Sequence, residues 1–304
     1  MGLWALAGSA QAQDGPGSEG PIILQTPASV RFAGLNGAGA ALMGHAATVF
    51  TNPAGLATIR YIALEGSYQT APFDAYSTSA AMGWRLRQFD LGFGVQYYDF
   101  GSEPVEIPDP STGGLLGMPT GATVGASEIL GVGSLVYRYG LIAIGASGKF
   151  VRQDIGDFRD EGASVDLGIS IAVFDIMALG FAIQNVGGNW RESSNMVMPR
   201  LTRFGFTMNY VDPQGTFRLL STLEFQWMAG RSSRFVFGGE GGMVVSGVGV
   251  TGRLGYGSRP QGSDLAAFTF GATIELNWVD IDFAYEPNDL LDDPTKRIGV
   301  RLQL

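Results

Sequence analysis

The chain has no cysteine, a single histidine and few charges: Asp, Glu, Lys and Arg make up only 15% of its 304 residues, against about 25% in a typical soluble domain. Without cysteine, disulfides, thiolate nucleophiles and thiolate metal sites are excluded together. With His45 as the one imidazole, a serine nucleophile has no second candidate base. No run of about 18 uninterrupted apolar residues exists, which excludes a helical membrane span. The 19 Lys and Arg are scattered and outnumbered by 28 Asp and Glu, for a net charge of -9. That balance argues against a nucleic-acid surface.

What is present is glycine, 46 residues, together with 45% apolar residues and 11% aromatics. The apolar character is dispersed with period two. The chain ends KRIGVRLQL, where Ile298, Val300, Leu302 and Leu304 alternate with Gly299, Arg301 and Gln303. In water a terminal strand with one oily face is an association hazard, unless it closes a barrel whose outside meets lipid. An ordinary last strand of a soluble sheet is the alternative. Similar alternation fills 60–70, 74–86, 88–100, 126–138, 140–153, 160–173, 175–186, 200–211, 216–228, 232–244, 246–257, 263–276, 278–286 and 296–304. Each segment is long enough to cross a bilayer as a tilted strand. The expected fold class is all-β: a 14-stranded antiparallel transmembrane β-barrel with an N-terminal plug segment. The connections support it by parity. Long ones (101–125, 187–199, 287–295) are all odd-numbered, whereas the even-numbered ones are tight turns. This is the pattern of a barrel with both termini on one side of a membrane.

Charge follows the alternation. Phe217, Leu219, Leu223, Phe225 and Trp227 alternate with Arg218, Thr222, Glu224 and Gln226; Val279, Ile281, Phe283 and Tyr285 alternate with Asp280, Asp282 and Glu286. Turning a basic residue toward lipid near the midplane costs about 2 to 4 kcal/mol, so the charged face points inward. The expected lumen set is Arg138, Lys149, Asp166, Arg203, Arg218, Glu224, Glu240, Arg253, Glu275, Asp280, Asp282 and Arg301. Its balance of signs predicts an ion-paired interior rather than a strongly selective pore. Tyr68, Tyr97, Tyr137, Tyr210, Trp227, Trp278 and Tyr285 fall near segment ends, where amphipathic rings favour a membrane interface.

Three regions follow. Residues 1–12 read as the remnant of a signal peptide with a small-residue cleavage site before Gln13, or else as a flexible leader. Residues 13–59 are small and apolar. A fourteen-stranded barrel encloses more space than its own side chains fill, so this segment is expected to plug it; a loose periplasmic leader is the alternative. Residues 60–304 form the barrel.

Motifs of other chemistry fit the strand pattern instead. Gly247, Gly249 and Gly252 match GxGxxG, but an alternating strand follows instead of a helix, so no phosphate cradle results. Asp280 and Asp282 share a face as a general acid and base would, yet ion pairing with nearby arginines accounts for them. Asp289, Asp292 and Asp293 lack the ligand spacing of a calcium loop. No enzyme activity, cofactor or metal is expected.

Residues 35–57, LNGAGAALMGHAATVFTNPAGLA, resemble the N-terminal signature of FadL-like outer-membrane barrels, and of the PorV/PorQ family in particular, with Asn52, Pro53, Ala54 and Gly55 at its centre. The resemblance implies a fourteen-stranded barrel with a plug in the bacterial outer membrane. Gly44 and His45 stand where the signature has two acids. The C-terminal spacing of Gly299, Leu302 and Leu304 resembles the signal by which barrel-insertion machinery recognises its clients. Membership of the PorV/PorQ group implies docking of secreted cargo or a translocon in type IX secretion. The wider superfamily implies the alternative, a channel for a hydrophobic small molecule. Outer-membrane lipid is the expected surrounding in both.

Overall fold

The computed structural model describes residues 20–113, 116–173, 176–188, 197–212, 215–230, 233–259, 266–287 and 293–304. Fourteen strands form one closed antiparallel barrel: β1 (Ile62–Thr70), β2 (Tyr76–Leu86), β3 (Phe89–Pro108), β4 (Gly117–Tyr139), β5 (Ile142–Ile155), β6 (Phe158–Val173), β7 (Met177–Gly188), β8 (Leu201–Val211), β9 (Phe217–Met228), β10 (Arg234–Val245), β11 (Val248–Gly257), β12 (Phe268–Leu276), β13 (Val279–Glu286) and β14 (Thr295–Gln303). Every strand pairs with its sequence neighbours, and β14 returns to β1 in the register Leu64 to Leu302, Gly66 to Val300, Tyr68 to Ile298. The Leu304 N–H donates to the Ile62 carbonyl at 2.9 Å. The oily last strand therefore presents no edge; its amides are spent on closure.

Side chains sort by face as the alternation requires. On β9, Phe217, Leu219, Phe225 and Trp227 are exposed on the outside while Leu220, Thr222, Glu224 and Gln226 are buried inside. On β14, Ile298 and Val300 point out, whereas Arg297 and Arg301 are buried. The tight turns at one end have the chemistry that two-residue hairpins demand. Ser246 and Gly247 both adopt positive φ (53° and 82°), matching the right-handed twist of the flanking strands.

One expectation is corrected. Residues 101–125 are not a loop: β3 and β4 run on past the barrel rim as a two-stranded ribbon, pairing Glu103 with Val124 and Ile107 with Met118 after a bulge beyond Asp99. Proline density concealed this. Pro104, Pro108 and Pro119 lie beyond the last β2–β3 pair at Asp99 and the first β4–β5 pair at Ala126, where the outer strand edges have no partner and a missing N–H costs nothing.

Residues 20–59 occupy the lumen. Gly20 lies against Val197 and Pro199 of the β7–β8 connection. From there the segment makes a 3-10 turn (Ile22–Leu24), a short helix α1 (Val30–Gly34) and two more 3-10 turns (Ala46–Phe50, Pro53–Thr58) before Ile59 leads into β1. It thus runs from the end with long connections to the end with short turns. Phe32, Leu35, Val49 and Leu56 are fully buried, and the hydrophobic core of the molecule is this segment with the inward faces around it. Among the described residues no helix is long and apolar enough to cross a membrane.

Leu167 projects outward from the middle of β6. Leu167→Arg is expected to destabilise the barrel by about 2 to 4 kcal/mol in reversible unfolding from lipid vesicles. Unchanged stability would mean that this face does not meet hydrocarbon.

Candidate functional site: the filled lumen

Paired glycines let the segment approach the barrel wall. Gly145 and Gly168 are register partners on β5 and β6. A Cβ at Gly145 would stand 2.8 Å from the Ala54 nitrogen, and one at Gly168 would overlap the Asn52 side chain. Gly180 and Gly205 are likewise partners on β7 and β8, lying against the Ala40–Ala41 backbone. Into the first dent fits the motif block. Asn52 Nδ2 donates to the Ala40 carbonyl (2.6 Å) and to Ser170 Oγ (3.2 Å), and Oδ1 accepts from the Ala54 N–H (3.1 Å). Pro53 opens the 3-10 turn that Asn52 caps, and the Gly55 carbonyl accepts from the Gly44 N–H at 2.8 Å. Asn52, Pro53, Ala54 and Gly55 therefore tie the segment to itself and to β6.

An irregular backbone inside a barrel must find partners for its own N–H and C=O groups. Inward side chains supply them. Glu224 accepts from the Gly39 and Ala40 amides (2.8 Å each), Glu65 from the Ala47 amide (3.3 Å), and Glu128 from the Ile22 and Ile23 amides (3.2 and 2.7 Å). Arg203 donates to the Gly37 carbonyl (2.9 Å) and Gln184 to the Phe50 carbonyl (2.7 Å).

The twelve charged residues anticipated from the alternation all face inward as ion pairs. Lys149 meets Asp166 at 2.7 Å, Arg203 meets Glu224 at 2.7 Å, and Arg218 meets Glu275 at 2.5 Å. Arg253 bridges Glu240 (3.2 Å) and Asp282 (3.0 Å), while Arg301 holds Asp280 (3.2 Å) and Asp282 (2.5 Å). Arg138 pairs with Asp90 at 2.8 Å. Asp90, Glu65, Glu128 and Arg31 escaped the sequence reading. Each is inward by parity or by position in the segment, but apart from Arg85 on Asp90 their partners lie far away in the chain; Arg31, for instance, pairs with Glu240.

At the short-turn end these groups surround a polar cavity of about 220 Å³, lined among others by Arg31, His45, Arg218, Glu240, Arg253, Asp280 and Arg301. His45 faces Arg31 at Nε2 and Arg301 at Nδ1. Burial, then the charges of Arg31, Arg301 and Arg253, hold the His45 pKa well below its ordinary value, so the ring is neutral and accepts a hydrogen bond at one nitrogen only. Gly44 has φ +83°, a conformation that an acid would adopt only with strain. The departure from the signature at 44 is thus built into the local turn. Of the residues whose spacing resembles an insertion signal, Gly299 packs inward against Val30, Leu302 is half-buried and Leu304 is exposed. Gly249 and Gly252 lie on β11, with Gly247 in the turn before it. Asp289 and Asp292 lie outside the described residues, among which no group of metal ligands occurs.

At the opposite end of the lumen an apolar cluster lies beside the ion pair of Arg297 with Glu286 (2.7 Å). The turn Ile22–Leu24 packs on β3 and β4. Buried Ile23 belongs to one core with Tyr98, Leu130, Val151 and Met198, and Leu24 and Phe100 pack at its margin. The Tyr98 and Phe100 rings are 4.5 Å apart.

No protein-family model and no curated protein matches the sequence. Solved structures match in fold. The CymD monoaromatic hydrocarbon channel shares 12% identity over 91% of this chain and 97% of its own, with a TM-score of 0.62. The toluene transporter TodX of Pseudomonas putida shares 10% over 94% and 99%, also at 0.62. A Pseudomonas aeruginosa FadL homologue shares 10% over 90% and 98%, at 0.57. The first is named as a channel and the second as a transporter, and all three bear out the FadL-like fold. The narrower PorV/PorQ reading finds no counterpart among them.

Gly180→Val places side-chain atoms into the Ala40 backbone, which cannot swing aside as a side-chain end does. The expected result is an assembled barrel whose segment is displaced, with residues 40–52 newly open to protease and a loss of about 1 to 3 kcal/mol or more. Gly131→Val, facing open space, is the control and is expected to be silent. Equal behaviour of the two variants would contradict the seating of the segment.

Proposed function

We propose that the chain is an outer-membrane channel for hydrophobic small molecules, closed in this conformation by residues 20–59 acting as a plug. The observation that carries the reading is the make-up of the lumen: at the long-connection end a chamber filled by Ile22–Leu24, with Ile23 in one core with Tyr98, Leu130, Val151 and Met198, and at the short-turn end an ion-paired, polar tier. The chamber suits an apolar molecule taken from outside, and the ribbon beside it offers exposed Ile107, Leu116, Met118 and Val124. The fold shared with monoaromatic hydrocarbon channels and a toluene transporter supports the same reading. In it, outer-membrane lipid surrounds the barrel and the insertion machinery delivers it there.

Release then requires the plug to move. The lower tier holds buried charges that an apolar molecule cannot solvate, so an exit through the wall is favoured over one straight through that tier. A second reading, a barrel that docks secreted proteins in type IX secretion, is favoured by the filled lumen, since docking needs no passage. Beyond the filled lumen it rests on the resemblance of residues 35–57, and it ranks second.

The absence of native cysteine makes a direct test simple. A Cβ at Gly299 would lie 3.5 Å from Val30 Cβ, within the span of a disulfide. In cells or proteoliposomes, Gly299→Cys with Val30→Cys is expected to abolish uptake of toluene when oxidised and to recover it on reduction. Uptake indifferent to the lock, or absent from the unmodified protein, would overturn the channel reading.

A further inference from the structure

The turn Ile22–Leu24 fills the chamber under β3 and β4 at the long-connection end, and the way it is held states what the chamber accepts. Ile22–Leu24 presents an apolar body, and its amides point at a carboxylate: Ile22 N–H reaches Glu128 Oε1 at 3.2 Å and Ile23 N–H reaches Oε2 at 2.7 Å. Gln153 Nε2 adds a third donor at 2.7 Å. Glu128 is 2% exposed, so this is a buried acceptor served by neutral N–H groups. Nearby on β3, Gln96 is 1% exposed and its carbonyl oxygen has no hydrogen-bond partner among the described residues. Tyr98 is paired with Glu128 and Gln96 with Leu130, so both acceptors point inward along adjacent rungs of the β3–β4 ladder. Ile22 remains exposed at the mouth, which leaves the occupant open to competition from outside.

A plain hydrocarbon that displaced Ile22–Leu24 would remove two donors from a buried carboxylate and replace neither. Leaving such an acceptor without partners is strongly unfavourable. A molecule with the same apolar body and a donor at one end would restore them, and a cationic donor would do so more strongly. We propose that this chamber is a binding site for apolar molecules carrying a hydrogen-bond donor, amines foremost, which replace Ile22–Leu24 and are received by Glu128 with Gln96 as second acceptor. The proposal rests on the channel reading and narrows its substrate class.

The test compares three ligands with one apolar body, butylbenzene, 4-phenylbutylamine and 4-phenylbutyric acid, titrated calorimetrically into the full-length protein in detergent. The amine is expected to bind about tenfold to hundredfold more tightly than the hydrocarbon, the gain typical of a charge-assisted hydrogen bond, with the acid weakest. Glu128→Leu is expected to bring the amine-to-hydrocarbon ratio close to one while hydrocarbon binding persists, and Glu128→Gln to fall between. Should the Leu variant fail to assemble, the wild-type ratio and the Gln variant decide. Butylbenzene binding as tightly as the amine, or a preference that survives loss of the carboxylate, overturns this inference and leaves the channel reading intact. Failure of all three ligands to bind, with no toluene uptake, overturns both.

Discussion

A closed ring of fourteen strands encloses more space than its own side chains can fill, and most of the structure follows from that constraint. The space is taken by residues 20–59, whose Gly and Ala content lets the backbone itself serve as filler. Where the filler touches the wall, the wall loses its side chains: Gly145 with Gly168, and Gly180 with Gly205, form dents in which Asn52–Pro53–Ala54 and Ala40–Ala41 lie. Where the filler leaves backbone amides without helix or sheet partners, Glu65, Glu128 and Glu224 accept them. The same inward face thus answers two needs, volume and polarity.

Charge is the second organising element. Strand side chains that cannot face hydrocarbon turn inward, and once buried they must be paired. Asp282 between Arg253 and Arg301, Lys149 on Asp166, and Arg203 on Glu224 meet that demand, and they concentrate toward the short-turn end and the middle of the barrel. At the long-connection end Tyr98, Phe100, Leu130 and Ile23 cluster, with Glu128 as a buried acid among them and the Arg297–Glu286 pair beside them. The polar cavity at the short-turn end is therefore a consequence of where most of the paired charges are placed.

Much of this was legible in the sequence because it is local. Period-two alternation, turn residues such as Ser246–Gly247 and the parity of connection lengths specify strands, faces and barrel closure without knowledge of any distant contact. The inward orientation of Arg218 or Asp282 follows from the same alternation. What was not legible is what depends on pairing across the lumen. Nothing near Glu128 in sequence shows that it holds Ile22 and Ile23, and nothing near Arg31 points to Glu240. Inward glycines read as weak strand positions, although they are contact sites. The ribbon of β3 and β4 was mistaken for a loop because three prolines normally signal irregular chain, and only the absence of neighbouring strands makes them harmless there. The docking reading came from the resemblance at residues 35–57 and from the scarcity of apolar loop material; the structural neighbours bear out the FadL-like fold and include no PorV/PorQ counterpart.

The central claim is that hydrocarbon lies outside this barrel and a seated segment inside it. Spin labels placed one at a time on single cysteines along β9, residues 217–228, in lipid vesicles test it most directly. The account predicts oxygen accessibility with a period of two, high at Leu219, Leu223, Phe225 and Trp227 and low at Leu220, Thr222, Glu224 and Gln226, where a water-soluble relaxant is also excluded by the segment. Uniform accessibility along the strand, or a period near that of a helix, would contradict it.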